Sequence, residues 1–297
     1  MNTNYGQVSH GITAFDPYGN KRYIDANKSF LQSNSIVARI AFLILVIFIF
    51  IILFKIGTFF LSRHFTFSTN PVLLNGMSDG QVLIKVPQNP QTPNAVPIIR
   101  STNERDGLVF TWSVWIHVDQ GGLRRASDTQ STTYKHVFSK GSDSLGSDGV
   151  AATNAPGLYI SSDYTKLIVI MSTFDKAREE IVIGDLPINH WLNVIIRQDQ
   201  HRMDVFINGT LARSMLLEGV PNQNYEPVFI GLNGGFSGKI SQLQYFASAI
   251  GANQIQQIRE SGPNMKLIQD NSDLKGDGDN TYLSFRWFFP NWSSEMQ

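Results

Sequence analysis

Residues Asp106–Val118 read DGLVFTWSVWIHV and have the alternation of a buried β-strand. Successive side chains of a β-strand point to opposite faces, so the two tryptophans three residues apart must face opposite ways. One face is apolar throughout and consists of Leu108, Phe110, Trp112, Val114, Ile116 and Val118. Trp115 lies on the other face with Thr111, Ser113 and His117. We therefore predict a core strand with Trp112 inside.

Trp115 has two interpretations. Burial beneath a covering loop is favoured over exposure as a surface on which a sugar ring stacks. Tyr134 and Tyr159 are further candidates for such a ligand face, because they flank long polar loops at Asp119–Lys135 and Gly141–Gly157. His117 is interpreted as a hydrogen-bonded structural histidine.

The rest of the region from about Ile98 to Phe246 alternates short β-prone runs with turn residues, which is typical of an antiparallel sandwich. Asn208-Gly209 predicts a tight hairpin, and Asp199-Gln200 predicts the turn before it. Ile255 and Ile258 are spaced for a short amphipathic helix that ends at Gly262-Pro263. Besides Leu108–Val118, the predicted strands are His136–Lys140, Gly157–Ser161, Lys166–Thr173, Glu180–Ile183, Trp191–Gln198, Arg202–Ile207, Thr210–Leu216, Val228–Leu232 and Lys239–Phe246.

The order of these pieces resembles the laminin-G-like, concanavalin A-like jelly-roll family over about residues 106–260. FTWSVWIHV is similar to the opening strand of the family, HVFSKG to the next, and GLYISSDYTKLIVIMS to the following hairpin. HWLNVIIRQDQHRMDVFINGTLARS and VFIGLNGGFSGKISQLQYFASAIGANQIQQI are similar to its later strands and closing helix. The resemblance implies a mainly β fold, an antiparallel jelly-roll β-sandwich, here joined to one N-terminal transmembrane α-helix.

The apolar run Ile36–Leu61 predicts that transmembrane helix. A bilayer core about 30 Å thick needs roughly 20 helical residues, and Arg39 and Lys55 can extend their charges to its surfaces. The run begins too far from Met1, and bulky Phe59, Phe60 and Leu61 stand where a cleavage site needs small residues, which disfavours a cleavable signal peptide. The anchor residues face the lipid; they include Ile40, Phe42, Leu45, Phe48, Ile51 and Phe54.

Composition divides the chain into five predicted segments. A polar tail (1–35) precedes the helix (36–61), and a proline-rich spacer (62–97), with a short strand at Gly80–Val86, leads to the sandwich (98–262). An acidic loop and an aromatic segment (263–297) follow. Four basic residues flank the N-terminal side of the helix and two flank the other side, which favours a cytosolic tail for this single-pass protein; they are Lys21, Arg22, Lys28 and Arg39, against Lys55 and Arg63.

Several function classes are disfavoured by composition. The chain has no cysteine, so it has neither disulfides nor cysteine-ligated metal sites. It has no net charge and no concentrated basic face, so nucleic acid is not an expected partner. Its six histidines are not spaced as metal ligands, and phosphate-loop and dinucleotide motifs are missing. We expect no cofactor.

A hydrolase was the main enzymatic alternative, because concanavalin A-like folds include glycoside hydrolases. Such enzymes need two carboxylates flanking one glycosidic bond. The nearest arrangement here is Asp175, Glu179 and Glu180, which lacks the central acid of the family pattern. An exposed charged hairpin is the favoured interpretation, and the chain is predicted not to be an enzyme.

Two features lie after the predicted sandwich. Asp273, Asp277 and Asp279 could supply oxygen ligands to Ca²⁺, but their loop lacks the EF-hand register, and a solvated turn is favoured. The aromatic residues near the C-terminus fit either a returning strand or a protein interface; Trp287, Phe288, Phe289 and Trp292 are the interface candidates.

These observations predict a non-enzymatic, membrane-anchored structural or interaction protein. A cysteine-free, single-span chain carrying a jelly roll also resembles the membrane-anchored minor capsid components of large icosahedral DNA viruses. That resemblance implies a virion location, with the inner membrane and capsid proteins as partners. The alternative is a carbohydrate-binding, lectin-like module displayed on a membrane.

Overall fold

The computed structural model describes residues 36–65, 68–99, 108–119 and 132–268. The chain consists of two units, which meet between Thr66 and Phe67, and each unit is described by itself. The predicted tail (1–35), the Ca²⁺ candidates and the aromatic C-terminal segment lie outside the described residues.

The first unit contains one long helix, α1, which runs from Ile36 to Phe65. Its segment Ile36–Phe60 is long and apolar enough to cross a membrane, by length and composition. The six anchor residues predicted from the sequence are all exposed, as are most of their neighbours around the helix. A helix that is apolar on every side has no polar face to turn toward water.

The second unit is an antiparallel β-sandwich, which confirms the predicted fold class. Its strands are β1 (Val72–Asp79), β2 (Ile84–Val86), β3 (Leu108–Val118), β4 (Tyr134–Lys140), β5 (Gly157–Ser161), β6 (Leu167–Met171), β7 (Glu179–Ile183), β8 (Trp191–Gln200), β9 (Arg202–Ile207), β10 (Thr210–Leu216), β11 (Val228–Ile230) and β12 (Gly238–Phe246). A 3₁₀ turn lies at Leu232–Gly234, and helix α2 spans Ala252–Ser261. Sheet A has the order β1-β12-β3-β8-β9-β10, and sheet B has the order β2-β11-β4-β5-β6-β7.

Trp112 lies at the centre of the core, as predicted, and is almost fully buried. Its ring is 5.4 Å from Phe138 of sheet B and 5.2 Å from Tyr245 of the neighbouring strand β12, measured between ring centroids. Aromatic pairs at these separations add to the stability gained from burial alone. The ring therefore joins the two sheets.

The opposite face of sheet A is also covered. Thr111 donates its hydroxyl to the Ser248 carbonyl at 2.8 Å and accepts from the Ile250 amide at 3.2 Å. These bonds hold the segment that leads into α2, whose Ile255 packs on Ile195 and Phe246. The helix thus buries an apolar area that β8 and β12 would otherwise expose to water.

The predicted hairpins are present with one small shift. Asn208 and Gly209 have φ values of 49° and 80°, which is the geometry of the turn expected for Asn-Gly. The preceding turn was predicted at Asp199-Gln200, but β8 continues to Gln200, whose φ is 58°. This turn is therefore centred one residue later.

The predicted spacer (62–97) contains two strands of the sandwich: β2 lies within the strand predicted at Gly80–Val86, whereas β1 was not predicted. β1 pairs with β12 in sheet A, and β2 pairs with β11 in sheet B. The prolines lie outside the strands: Pro71 precedes β1, and Pro87 follows β2. Beyond α2, Leu267 bridges Met77 of β1, so the sandwich also includes residues after 262.

Replacing Trp112 with alanine should reduce the free energy of unfolding by about 3–5 kcal/mol, because it removes the largest side chain between the sheets. Urea unfolding of the full chain in detergent micelles, followed by pulse proteolysis of the sandwich, measures the change. The control is Leu83→Ala, which alters an exposed side chain and should change the stability by less than about 0.5 kcal/mol. Equal effects of the two substitutions would contradict the central role of Trp112.

Candidate functional site

Glu179 and Glu180 of the β6–β7 hairpin do not form a catalytic pair. Glu179 is buried, and its carboxylate accepts from the Thr173 hydroxyl at 2.9 Å and from the Glu218 and Gly219 amides at 2.8 and 3.3 Å. Glu180 follows it in the strand, so it points the other way and bonds to Arg178 at 2.9 Å. Two carboxylates on opposite faces cannot flank one bond.

This arrangement corrects one part of the sequence interpretation. The whole hairpin was expected to be exposed, but Glu179 is buried because the loop after β10 supplies donors to its carboxylate. Its role in the described structure is to hold the loop 217–219 against the β6–β7 hairpin.

Within the described parts of the chain, no three His, Cys, Asp or Glu side chains are grouped closely enough to hold a metal ion. His117 lies with its Nδ1 2.9 Å from Asp119 Oδ1 and its ring 5.4 Å from that of Trp191. The ring thus lies beside Asp119 and Trp191, but its Nδ1 has no hydrogen-bond partner among the described residues, so the expected hydrogen bond is not shown at this atom.

His136 is the most deeply buried histidine of the described residues. Its Nδ1 accepts from the Leu232 amide at 3.2 Å, so the neutral ring carries its proton on Nε2, which donates to Ser139 Oγ at 2.8 Å. Burial lowers the pKa of His136 to about 3. The side chain therefore stays neutral and joins β4 to the turn after β11.

Two of the three predicted ligand-face aromatics are buried. Tyr159 is fully buried, and its hydroxyl donates to Asn154 Oδ1 at 2.5 Å and accepts from the Ala151 amide at 3.1 Å. Burial raises the pKa of Tyr159 to about 12, which keeps this hydroxyl protonated. Tyr159 thus anchors the β4–β5 loop through hydrogen bonds, and neither face of its ring is accessible to a ligand.

Trp115 is only 6% exposed and lies between Asn193 of β8 and Ser241 of β12. Ser241 donates to the Asn264 carbonyl at 2.7 Å, so the segment after α2 crosses this part of sheet A. This placement agrees with the favoured interpretation of Trp115 as a covered residue.

Tyr134 is half-buried, and its ring is already in contact with a cation. The Arg178 guanidinium lies 5.0 Å from the ring centroid and is held by Asp148 at 2.6 Å and by Glu180. This stacking occupies one face of the ring.

A cleft of about 430 Å³ opens at the end of the sandwich where β3 finishes. Asp79, Asp119 and Lys239 are among its lining residues. The Asp79 carboxylate accepts from the Gln81 amide at 2.8 Å, which closes the turn between β1 and β2.

At the opposite end, the structure shows a feature that the sequence analysis missed. Four large apolar side chains lie on loops or at a strand end there, and we call them the apolar rim: Phe174, Leu216, Val220 and Tyr225. Phe174, Leu216 and Tyr225 are 72%, 73% and 90% exposed. Phe174 and Tyr225 are bulky residues in otherwise polar turns, STFDKARE and PNQNYEP, which is the signal that could have identified them.

Hydrogen bonds hold the loops that carry the rim in place. The Phe174 amide donates to the Val220 carbonyl at 3.0 Å, and the Asn222 amide donates to the Ser172 carbonyl at 2.8 Å. Buried Lys140 donates to the Glu226 carbonyl at 2.9 Å and to Asn224 Oδ1 at 3.3 Å. Burial lowers the pKa of Lys140 to about 8, although the Glu226 carboxylate acts in the opposite direction.

No protein-family model matches this sequence, and no curated protein matches it. Among solved structures, the chain is similar to the receptor-binding domain of botulinum neurotoxin C/D mosaic serotype, with 16% identity and a TM-score of 0.40. That match covers 52% of this chain and 36% of the other.

Two further structures are similar at the same level. The botulinum neurotoxin serotype D ligand-binding domain in complex with N-acetylneuraminic acid matches at 17% identity and a TM-score of 0.43, covering 64% of this chain and 44% of the other. The binding domain of botulinum neurotoxin DC in complex with rat synaptotagmin II matches at 14% and 0.38, covering 52% and 35%. This chain thus spans a third to a half of their lengths, and the likeness carries no argument about its ligands.

Replacing Glu179 with alanine should destabilise the sandwich by about 2–4 kcal/mol, because three donors lose their acceptor in a buried place. The neighbouring substitution Glu180→Ala removes only a surface ion pair and should cost less than about 1 kcal/mol. Urea midpoints of the two variants measure the difference. A larger loss for Glu180→Ala would show that the buried carboxylate is not what holds the loop.

The depressed pKa of His136 predicts an acid-sensitive fold. Between pH 6.5 and about 3, the unfolded chain binds a proton at this ring and the folded chain does not. The free energy of unfolding should therefore decrease as the pH is lowered through that window. This group contributes a limiting slope of about 1.4 kcal/mol per pH unit. His136→Gln should flatten the urea-midpoint profile, whereas His190→Gln, at an exposed position, should leave it unchanged. Identical profiles for all three proteins would contradict the assignment.

Proposed function

We propose that this chain is a membrane-anchored binding protein, in which α1 spans a bilayer and the β-sandwich contacts a partner beside it. The observation that carries the proposal is the 25-residue apolar segment of α1, exposed around its circumference. Soluble proteins rarely expose apolar patches larger than a few hundred Å², and this helix would expose far more. A bilayer removes that surface from water.

A binding role is supported over catalysis by the arrangement of the acids. Of the three candidate acids, Glu179 is buried, whereas Asp175 and Glu180 are exposed. The Glu179 carboxylate accepts three hydrogen bonds from neighbouring loops. The sandwich therefore acts in this proposal as a rigid scaffold that presents surfaces.

In finer form, we propose that the partners are structural proteins of a large assembly, with the chain linking an inner membrane to a capsid shell. The combination of an exposed apolar helix and a rigid sandwich supports such a tether. Binding to a glycan is less well supported, because Trp115 and Tyr159 are buried and the ring of Tyr134 is stacked with Arg178.

If α1 anchors the chain in a bilayer, the chain should resist extraction from membranes by alkaline carbonate. The expressed full chain should remain in the membrane pellet, and the double substitution Leu45→Asp and Phe48→Asp should release it, because two carboxylates at mid-helix are costly in hydrocarbon. The matched control places Asp at Val182 and Leu211, which are exposed on the sandwich, and it should stay in the pellet. Release of the unmodified chain would overturn the anchor.

The proposed link between membrane and capsid shell requires that the chain be part of a capsid particle. If the chain links the membrane to the shell, capsid particles purified by density-gradient centrifugation should contain it. Cross-linking within those particles should join the sandwich to a shell protein. Recovery only as a free detergent-soluble monomer would exclude the tether while leaving the membrane anchor in place. A glycan array probed with the detergent-solubilised full chain should show no saccharide binding, and a reproducible hit would favour the lectin-like alternative.

A further inference from the structure

The apolar rim lies at one end of the sandwich, as the pairing of the strands shows. Across sheet A, the residues at this end pair in sequence: Val72 with Gln244, Phe246 with Thr111, Leu108 with Gln200, and Arg202 with Leu216. The chain then passes from Leu216 to Val228 of sheet B through residues 217–227. Val220 and Tyr225 belong to that loop, and Phe174 is bonded to it.

This is also the end at which the chain from α1 reaches the sandwich. β1 begins at Val72, and the residues just before it bond to the last part of β12 and its continuation. The Tyr245 amide donates to the Pro71 carbonyl at 3.1 Å, and the Ala247 amide donates to the Thr69 carbonyl at 3.0 Å. The attachment point and the rim therefore share one end of the domain.

The connection from α1 is short. Residues 66–71 separate Phe65, the last residue of α1, from Val72. A fully extended chain spans at most about 3.3–3.6 Å per residue, so this tether reaches roughly 20–25 Å. If α1 spans a bilayer, the covalent chain keeps this end of the sandwich within that distance of the helix end, whichever way α1 is oriented.

We propose that the apolar rim inserts into the interfacial layer of the bilayer that α1 spans. The inference rests on the proposed function, because it needs α1 in a membrane. Phe, Tyr, Leu and Val are suited to this layer, where an aromatic ring buries its body among acyl chains and Tyr keeps its hydroxyl at the headgroups. The occupant of the rim is thus lipid.

The charges on the rim loops indicate how the lipid is recognised. Lys176 pairs with Glu218 at 2.5 Å, and Arg178 is held by Asp148 and Glu180. These cations are neutralised within the protein, so the apolar side chains supply the attraction. Zwitterionic lipid should be sufficient for insertion, and anionic lipid should not be required.

The other exposed apolar side chains provide the contrast. Leu83, 58% exposed, lies in the turn between β1 and β2, beside the end of β1 at Asp79 and so at the far end of sheet A from Val72. It is comparable to Leu216 in type and exposure but is distant from the attachment point. Position 83 is therefore a matched control for the rim.

The chain contains no cysteine, so single cysteines can be labelled without background. The full chain is reconstituted into phosphatidylcholine vesicles with an environment-sensitive fluorophore at one of four positions: Phe174→Cys, Tyr225→Cys, Leu83→Cys or Phe48→Cys. Quenching by lipids with a shallow or deep acyl-chain quencher is then measured. Position 48 reports on the anchor, and far-UV circular dichroism checks that each variant is folded.

We expect shallow-quencher lipids to reduce the emission at positions 174 and 225 by roughly two-fold or more, with a blue shift, while position 83 is unaffected. Position 48 should be quenched by the deep quencher. If positions 174 and 225 behave like 83 while 48 is quenched, rim insertion is wrong and the anchor stands. If position 48 is not quenched, the anchor itself fails, and the inference fails with it.

Two other results would also overturn lipid insertion. A blue shift at positions 174 and 225 without lipid quenching would place the rim against protein, such as a second copy of this chain. Quenching only in vesicles with anionic lipid would assign the contact to charge instead of to the apolar side chains. Serine at Phe174 and Leu216, in the chain labelled at position 225, should weaken the quenching, and serine at Val82 should not.

Discussion

β3 is buried on both faces, and the packing of both sheets is arranged around it. Ten of its eleven residues are buried, so each face of this strand needs its own cover. On the inner face, Trp112 packs against Phe138 from sheet B and Tyr245 from β12. On the outer face, Thr111 fastens the segment leading to α2, and Ser241 beside Trp115 fastens the segment that follows it. The core and the outer cover therefore use one strand as their common support.

Covering the outer faces uses up side chains that would otherwise be available to ligands. Tyr159 resembles a ligand-binding aromatic in sequence, but its hydroxyl satisfies polar groups of the loop folded over sheet B. His136 and Glu179 serve the same purpose, since each accepts backbone amide donors from a distant part of the chain. A buried polar group without a partner is costly, so these bonds are structural requirements. The apolar rim and the cleft both lie at ends of the sandwich, where these structural bonds leave side chains open to solvent.

The sequence predicted features that depend on local pattern. The alternation in β3, the Asn-Gly hairpin and the spacing of α2 each follow from a few consecutive residues. β1 escaped prediction because register shifts on both sides of Leu74 break its alternation. Gly76 looks like a strand breaker, yet a side chain there would meet the Lys266 carbonyl 2.6 Å away, so a glycine is needed where residues 266–268 approach. The burial of Glu179 was missed for a similar reason, since its two backbone donors lie about forty residues away. The apolar rim likewise depends on which loops share an end.

The short tether determines how much affinity the rim needs. A free domain with a few exposed apolar side chains would bind membranes weakly, since each side chain contributes only about 1.5–3 kcal/mol when fully buried, less the cost of losing free motion. Attachment to α1 through six residues removes most of that cost, because a short linker holds the rim at an effective concentration in the millimolar range. Four side chains can then fix the orientation of the sandwich, although they could not recruit it from solution. Rigid loops strengthen this effect, since Lys140 and the bonds between the rim loops order the rim before it meets lipid.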